Sequence, residues 1–276
     1  MPPGGARRYV RPLLASQVVG KSLRLWFTSL PQLVVVAAMI CIPFFVLRWM
    51  LRGEEGWKTT LAGSLPSIQM LAVAAIGQSF AMRFVFQRLR GERTDLARSI
   101  AAGARRIGTV AGISLLLALP WIAYVATILL LARDLESSHG QRAVALAGPG
   151  MVLAGAAFLV FELIVLLVFP VATPAAVVEG GGIFASLRRS ARLTKGRRST
   201  IFGISFIYSL IWGIPTVVLA LVIEFMMRSG PAQFLARAAL DLVLASLTCV
   251  MPVVLYHELR DTKEGFGIED LASVFD

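Results

Sequence analysis

The amino-acid sequence predicts an all-α, polytopic membrane protein. Composition is the first sign: the 276 residues are 57% hydrophobic and 16% charged, where soluble domains run at about 45–50% and about 25%. The second is a series of six apolar windows, each near the ~20 residues that a helix needs to cross hydrocarbon. The third is that lysine and arginine crowd one side of those windows. A net charge of +11 would suit nucleic acid by itself. Set between greasy windows, it points to a membrane surface and away from a nucleic-acid partner.

The chain opens with a basic lead-in of five cations, Arg7, Arg8, Arg11, Lys21 and Arg24. The first window, 31–51, is longer than the apolar core of a cleavable leader, so it reads as a retained span. The second, 64–86, is interrupted by Gln69, Gln78 and Arg83. The third covers 108–132. The fourth, 149–170, contains "MVLAGAAFLVFELIVLLVFP" and is the cleanest apart from Glu162. The fifth covers 200–226 and the sixth 234–256. Pro43, Pro120, Pro170, Pro215 and Pro252 fall within spans or at their ends, where neighbouring helices satisfy the freed carbonyls. Arg237 and Asp241, four apart on one face of the sixth window, are expected to neutralise each other.

Orientation follows from the cations beside each span. The N-terminal segment, the 2–3 connection, the 4–5 connection and the tail carry 20 of the 27 lysines and arginines, and the other side carries seven. Both termini are therefore expected in the cytoplasm of a bacterial cell, with the protein multi-pass in its inner membrane.

The sequence also repeats. Gly91–Trp121 aligns without gaps to Gly182–Trp212 at an offset of 91, with 11 of 31 positions identical. Arg98/Arg189, Ser99/Ser190, Arg106/Arg197 and Trp121/Trp212 are among them, and apolar bias does not explain charged, serine and tryptophan matches. A fainter copy begins at Ser22. The expectation is a single integral domain over 1–276 built from two or three parallel units, near 1–88, 89–175 and 176–260, with a cytoplasmic tail at 257–276.

Each unit is expected to begin with a basic, amphipathic helix lying in the headgroup plane. In "ASLRRSARLTKGRRSTIFGIS", Phe184, Leu187, Ala191 and Thr194 form the apolar stripe beside Arg188, Arg189, Arg192 and Lys195. In the earlier copy Leu96, Ile100, Gly103 and Ile107 share a face opposite Arg98 and Arg105. In the first unit Val10, Leu14, Val18 and Leu25 align, with Lys21 interrupting. The expected contacts to anionic headgroups are Arg98, Arg105, Arg106, Arg188, Arg189, Arg192, Lys195, Arg197 and Arg198, each contributing roughly 1 kcal/mol near an acidic leaflet.

Signals for chemistry are sparse. Cys41 and Cys249 lie in apolar runs and read as small core residues. His139 and His257 are the two histidines, and "HELR" lacks the second histidine of a zinc-protease helix. "GGG" at 180–182 reads as a helix start rather than a phosphate loop. Ser114 and Ser205, in the two "GIS" runs, read as helix-packing groups. No catalytic residue, metal ligand or cofactor is expected. Glu162 is the intramembrane polar candidate, since a charge there costs about 2.5–3.5 kcal/mol on insertion scales. It reads either as a proton or cation site, in a transporter or channel for a small or lipid-like solute, or as a hydrogen-bond partner of Gln78 or Ser79.

Two further segments, "FPVATPAAVVEGGGIFASLRRSARLTKGRRSTIFGI" (169–204) and "LYHELRDTKEGFGIEDL" (255–271), carry a family resemblance. Together they resemble the bacterial membrane domain attached to glycerophosphodiester phosphodiesterases. The matching positions are Pro170, Pro174, Glu179, Ser186, Leu187, Ser190, Leu193 and Gly196, then Tyr256, Leu259, Arg260, Lys263, Glu264, Gly265, Glu269 and Leu271. His257 and Gly267 depart from the pattern. The resemblance implies six helices and a cytoplasmic tail. It does not imply phosphodiesterase activity, because the catalytic barrel of those enzymes needs about 250 residues of its own.

The functional expectation is a non-enzymatic inner-membrane protein whose partners are anionic membrane lipids. It would organise lipid or scaffold a membrane or cytoplasmic protein partner. Ile268, Leu271 and Phe275 of the tail are expected to dock on the bundle.

Overall fold

The computed structural model describes residues 14–52, 57–89, 101, 103–137, 141–227 and 230–264. Among these, every regular element is helical: α1 (Ala15–Met50), α2 (Trp57–Ala72), a π segment (Val73–Gly77), α3 (Gln78–Leu89), α4 (Ile107–Ser137), α5 (Gln141–Val168), α6 (Ala172–Glu179), α7 (Ile183–Thr194), α8 (Arg198–Met226), α9 (Pro231–Thr248) and α10 (Met251–Glu264). Five stretches of them are long and apolar enough to cross a membrane: Ala15–Met50, Ile107–Thr127, Val152–Glu179, Arg198–Met226 and Pro231–Glu264. The second window, 64–86, is helical from end to end but is not one of the five. It consists of α2, the π segment and α3 in series. Gly77 in the π segment lets the helix approach α9–α10, since a Cβ there would stand 2.8 Å from the Cys249 Sγ.

Burial within α1 explains its register. Val18, Ser22, Trp26, Ser29, Leu33, Val36 and Ile40 are buried at helical spacings of three and four, one stripe turned to the bundle. The opposite side exposes Val35, Met39, Ile42, Val46 and Met50. On α5, Val152, Leu153, Leu159 and Val160 are 60–71% exposed. Apolar surface on this scale suits hydrocarbon rather than water.

Three features differ from expectation. From Ala15 onward the first basic segment is not a separate surface helix: α1 runs unbroken through 36 residues, about 54 Å at 1.5 Å per residue, so Lys21 and Arg24 lie on a continuation of the first span, while Val10 lies outside the described residues. The sixth span breaks at Cys249–Val250, with Pro252 in the first turn of α10, where a missing N–H costs nothing. Arg237 and Asp241 do not pair. Arg237 donates to Glu224 at 2.5 Å, and Asp241 accepts from Arg48 at 3.4 Å. The α8–α9 hairpin and the packing of α9 on α1 supply nearer partners than the same helix does.

The bundle has two polar ends. At one, here the basic end, α1, α4 and α8 begin, and the short helices α3, α6 and α10 pack on one another. Their buried residues, among them Ala81, Val85, Ala172, Ala176, Val253, Val254 and Leu255, join the main core. At the other end lie Arg48, Arg52, Glu224 and the start of α9.

Candidate functional site

The most connected polar cluster lies at the basic end. Its origin is a break in the chain. Pro170 has no N–H to donate, so α5 ends at Val168 and the chain turns through Phe169–Val171 into α6. The Val168 carbonyl, lost to the helix ladder, is recovered by α7: Ser190 Oγ donates to it at 2.9 Å and Thr194 Oγ1 at 3.3 Å.

Between α6 and α7 the glycines have separate jobs. Gly180 ends α6 in the left-handed region, with φ of 70°, a conformation that costs a side chain about 1–2 kcal/mol. Its carbonyl accepts from Arg106 Nη1 at 3.2 Å, which ties the head of α4 to this turn. Gly182, in extended backbone, precedes α7. The GGG run is thus a two-helix connector.

Around this turn stands a clasp of charges. Arg189 Nε donates to Glu179 Oε1 at 2.6 Å, and its Nη2 to Glu264 Oε2 at 2.7 Å. Tyr256 Oη donates to Glu179 Oε1 at 2.9 Å, and Arg260 Nε donates to Glu264 Oε2 at 3.3 Å. Lys263 Nζ donates to the carbonyls of Arg192 and Lys195, both at 2.6 Å, satisfying acceptors left open at the end of α7. Lys21, which interrupts the stripe of the first unit, pairs with Glu258 of α10. The Glu264 carboxylate, opposed by burial and reinforced by Glu179, pushes the Arg189 guanidinium above its ordinary value, so it stays charged. The two segments that carry the family resemblance therefore meet here: Glu179 and Arg189 come from the first, Tyr256, Arg260, Lys263 and Glu264 from the second. Sequence analysis named these residues without placing them together.

The expected headgroup residues separate accordingly. Arg188, Arg192, Lys195 and Arg198 are exposed, as are Arg105 and Arg106, and Arg197 is half-buried. Arg189 is committed to the clasp. Arg98 lies outside the described residues, as do Ile268, Leu271 and Phe275 of the tail. The apolar stripe is also rotated from its expected position. α7 buries Ser186, Leu187, Ser190, Leu193 and Thr194 against the protein, whereas Phe184 is 77% exposed.

Glu162 sits half-buried on α5. Among the described residues it has no hydrogen-bond or ion-pair partner, and neither Gln78 nor Ser79 bonds to it. Ser114 and Ser205 are both buried, but Ser205 Oγ finds no partner among the described residues. Cys41 and Cys249 are buried and unbridged. No group of histidine, cysteine or carboxylate side chains among the described residues could hold a metal ion. No family model matches the chain, nor does any curated protein or solved structure.

Proposed function

We propose that this is a non-catalytic, six-span protein of a bacterial inner membrane, with both termini cytoplasmic, whose basic end engages anionic lipid. The observation that carries the reading is the division of labour on α7. One arginine, Arg189, is spent on the clasp, and that clasp holds the helix so that Arg188, Arg192 and Lys195 face outward beside Phe184 and Arg198. An exposed phenyl ring among guanidinium groups suits the headgroup layer, where each cation is worth about 1 kcal/mol. The sixth span in this reading is the continuous helical path of 64–86.

The repeat supports the same scheme. α4 and α8 begin at Ile107 and Arg198, 91 residues apart, the offset of the sequence match. Val110/Ile201, Ile113/Ile204 and Ser114/Ser205 are buried at equivalent positions. The family resemblance points the same way, to six helices and a cytoplasmic tail.

The test is lipid retention. Protein carrying Arg188→Gln, Arg192→Gln and Arg198→Gln should hold phosphatidylglycerol about a hundredfold more weakly, as loss of three such contacts requires. Unchanged retention would overturn the reading. Cysteine labelling of Arg188→Cys from outside the cell would overturn the orientation.

A second reading, a transporter for a small or lipid-like solute, is favoured by Glu162 and its lack of a partner among the described residues. In reconstituted vesicles Glu162→Gln would then abolish flux and leave lipid retention intact.

A further inference from the structure

The end of the bundle opposite the clasp holds a cavity of about 340 Å³, lined by Arg48, Arg52, Glu224, Gln233, Phe234 and Arg237. We infer that this cavity is a binding site for a phosphodiester monoanion, either in a phospholipid headgroup or in a free soluble ester. This inference is independent of the lipid contacts proposed for α7.

The charges set the class of ligand. Two of the three guanidinium groups are already answered: Arg48 by Asp241 and Arg237 by Glu224. Arg52 has no carboxylate among the described residues. Its guanidinium lies 5.0 Å from the Trp49 ring and 5.2 Å from the Phe234 ring, and its one hydrogen bond to a described residue, the Gly230 carbonyl, is long at 3.5 Å. Aromatic faces hold a guanidinium in place by cation–π attraction and leave its edge free to donate. The described residues thus present one unanswered positive charge, which matches an anion with one charge better than a dianion.

The remaining donors suit a tetrahedral oxyanion. α9 starts at the cavity with Pro231 in its first turn. The backbone N–H groups of Ala232 and Gln233 fall in that first turn, where no carbonyl of the helix receives them. The Gln233 amide adds a side-chain donor. A planar carboxylate is satisfied by one guanidinium fork, whereas a phosphodiester can accept from Arg52, from Gln233 and from the helix start at once. Phe234 offers an apolar wall for the ester carbons.

The experiment uses the full-length protein in detergent, labelled with an environment-sensitive fluorophore at Ala232→Cys. Ala232 is exposed, and the native Cys41 and Cys249 are buried. Titrations with dimethyl phosphate and with short-chain phosphatidylglycerol distinguish the two sources, and acetate tests the class. At least one phosphodiester should saturate the signal, with acetate about tenfold weaker. Arg52→Gln should weaken that phosphodiester about tenfold, the loss expected for one charge-assisted hydrogen bond. Arg52→Lys should fall between, and the Arg188→Gln, Arg192→Gln pair at the basic end should leave the titration unchanged. A flat response to both phosphodiesters, acetate binding as tightly as they do, or an unshifted titration in both Arg52 variants would overturn the assignment.

Discussion

Removing the guanidinium of Arg189 should release α7 from the bundle. The side chains of Arg189, Glu179 and Glu264 are 17%, 30% and 22% exposed. They lie between a surface ion pair, worth about 0–1 kcal/mol, and a fully buried one, whose breaking costs about 3–5 kcal/mol. Neither carboxylate is left wholly bare in Arg189→Met, because Glu179 keeps Tyr256 and Glu264 keeps Arg260. The expected loss is therefore about 2–3 kcal/mol, intermediate between those limits. At roughly 2–4 °C per kcal/mol, thermal denaturation in detergent should show a midpoint lower by about 4–12 °C. Arg189→Lys keeps a charge but reaches one carboxylate at a time, so it should lose about half as much. Adding Glu179→Gln to Arg189→Met removes the carboxylate left with only the neutral Tyr256 and should recover part of the loss, while Glu264 keeps its pairing with Arg260. A single Arg189→Met variant melting within about 1 °C of wild type would refute the clasp. So would an Arg189→Met, Glu179→Gln double variant no more stable than the single one.

Three more outcomes follow from the same geometry, each read as a melting shift or a double-mutant cycle. Gly180→Ala should cost about 1–2 kcal/mol through its left-handed backbone. Its new Cβ would meet the Arg106 Nη2 at 2.7 Å, the far end of a flexible side chain, so Gly180→Asn should be milder than Ala. Gly103→Ala should cost about 1–3 kcal/mol by overpacking. Its Cβ would stand 2.4 Å from the Phe80 ring and 3.0 Å from the Ser79 carbonyl carbon, and backbone cannot step aside cheaply. At the opposite end, Asp241 should couple more strongly to Arg48 than to Arg237. The Arg237–Glu224 coupling should stay within about 0–1 kcal/mol, since those side chains are 41% and 56% exposed. The reverse order of coupling for Asp241 would overturn the assignment of partners.

Five of the six expected windows coincide with helices long and apolar enough to cross a membrane, because a bilayer imposes a length and a polarity that leave a mark in one dimension. The basic bias was legible for the same reason. Partnerships across the bundle were not. Sequence reasoning gave Asp241 to Arg237 because they lie one helical turn apart. The structure gives Asp241 to Arg48, 193 residues away, and Arg237 to Glu224, 13 residues away. Likewise Glu179, Arg189 and Glu264 were each visible as motif members. Nothing local to either segment records that they meet, because their contact depends on α6, α7 and α10 converging. The break after Thr248 leaves no mark in the sequence, because Cys249–Val250 is as apolar as its surroundings.

The rotation of α7 is the more instructive difference, because the signal against the expected orientation was present. An amphipathic pattern records that one face is sheltered, not what shelters it. Hydrocarbon and protein make opposite demands on hydroxyl groups. A serine or threonine turned to lipid must bond within its own helix, while one turned to protein can satisfy an acceptor elsewhere. The buried side of α7 carries Ser186, Ser190 and Thr194 beside Leu187 and Leu193, a face rich in hydroxyls for a lipid anchor. Pro170, twenty residues before Ser190, supplies the missing half. A proline that ends a helix strands carbonyls, and stranded carbonyls in a low-dielectric setting are costly. Hydroxyl donors on one helix and an orphaned acceptor on the helix before it amount to a docking prediction. The 2.9 Å bond from Ser190 to Val168 is what that prediction would have named. With the hydroxyl face docked inward, the cations at Arg188 and Arg192 turn outward as a geometric consequence. The outward-facing charge of α7 is in this sense set by its serines.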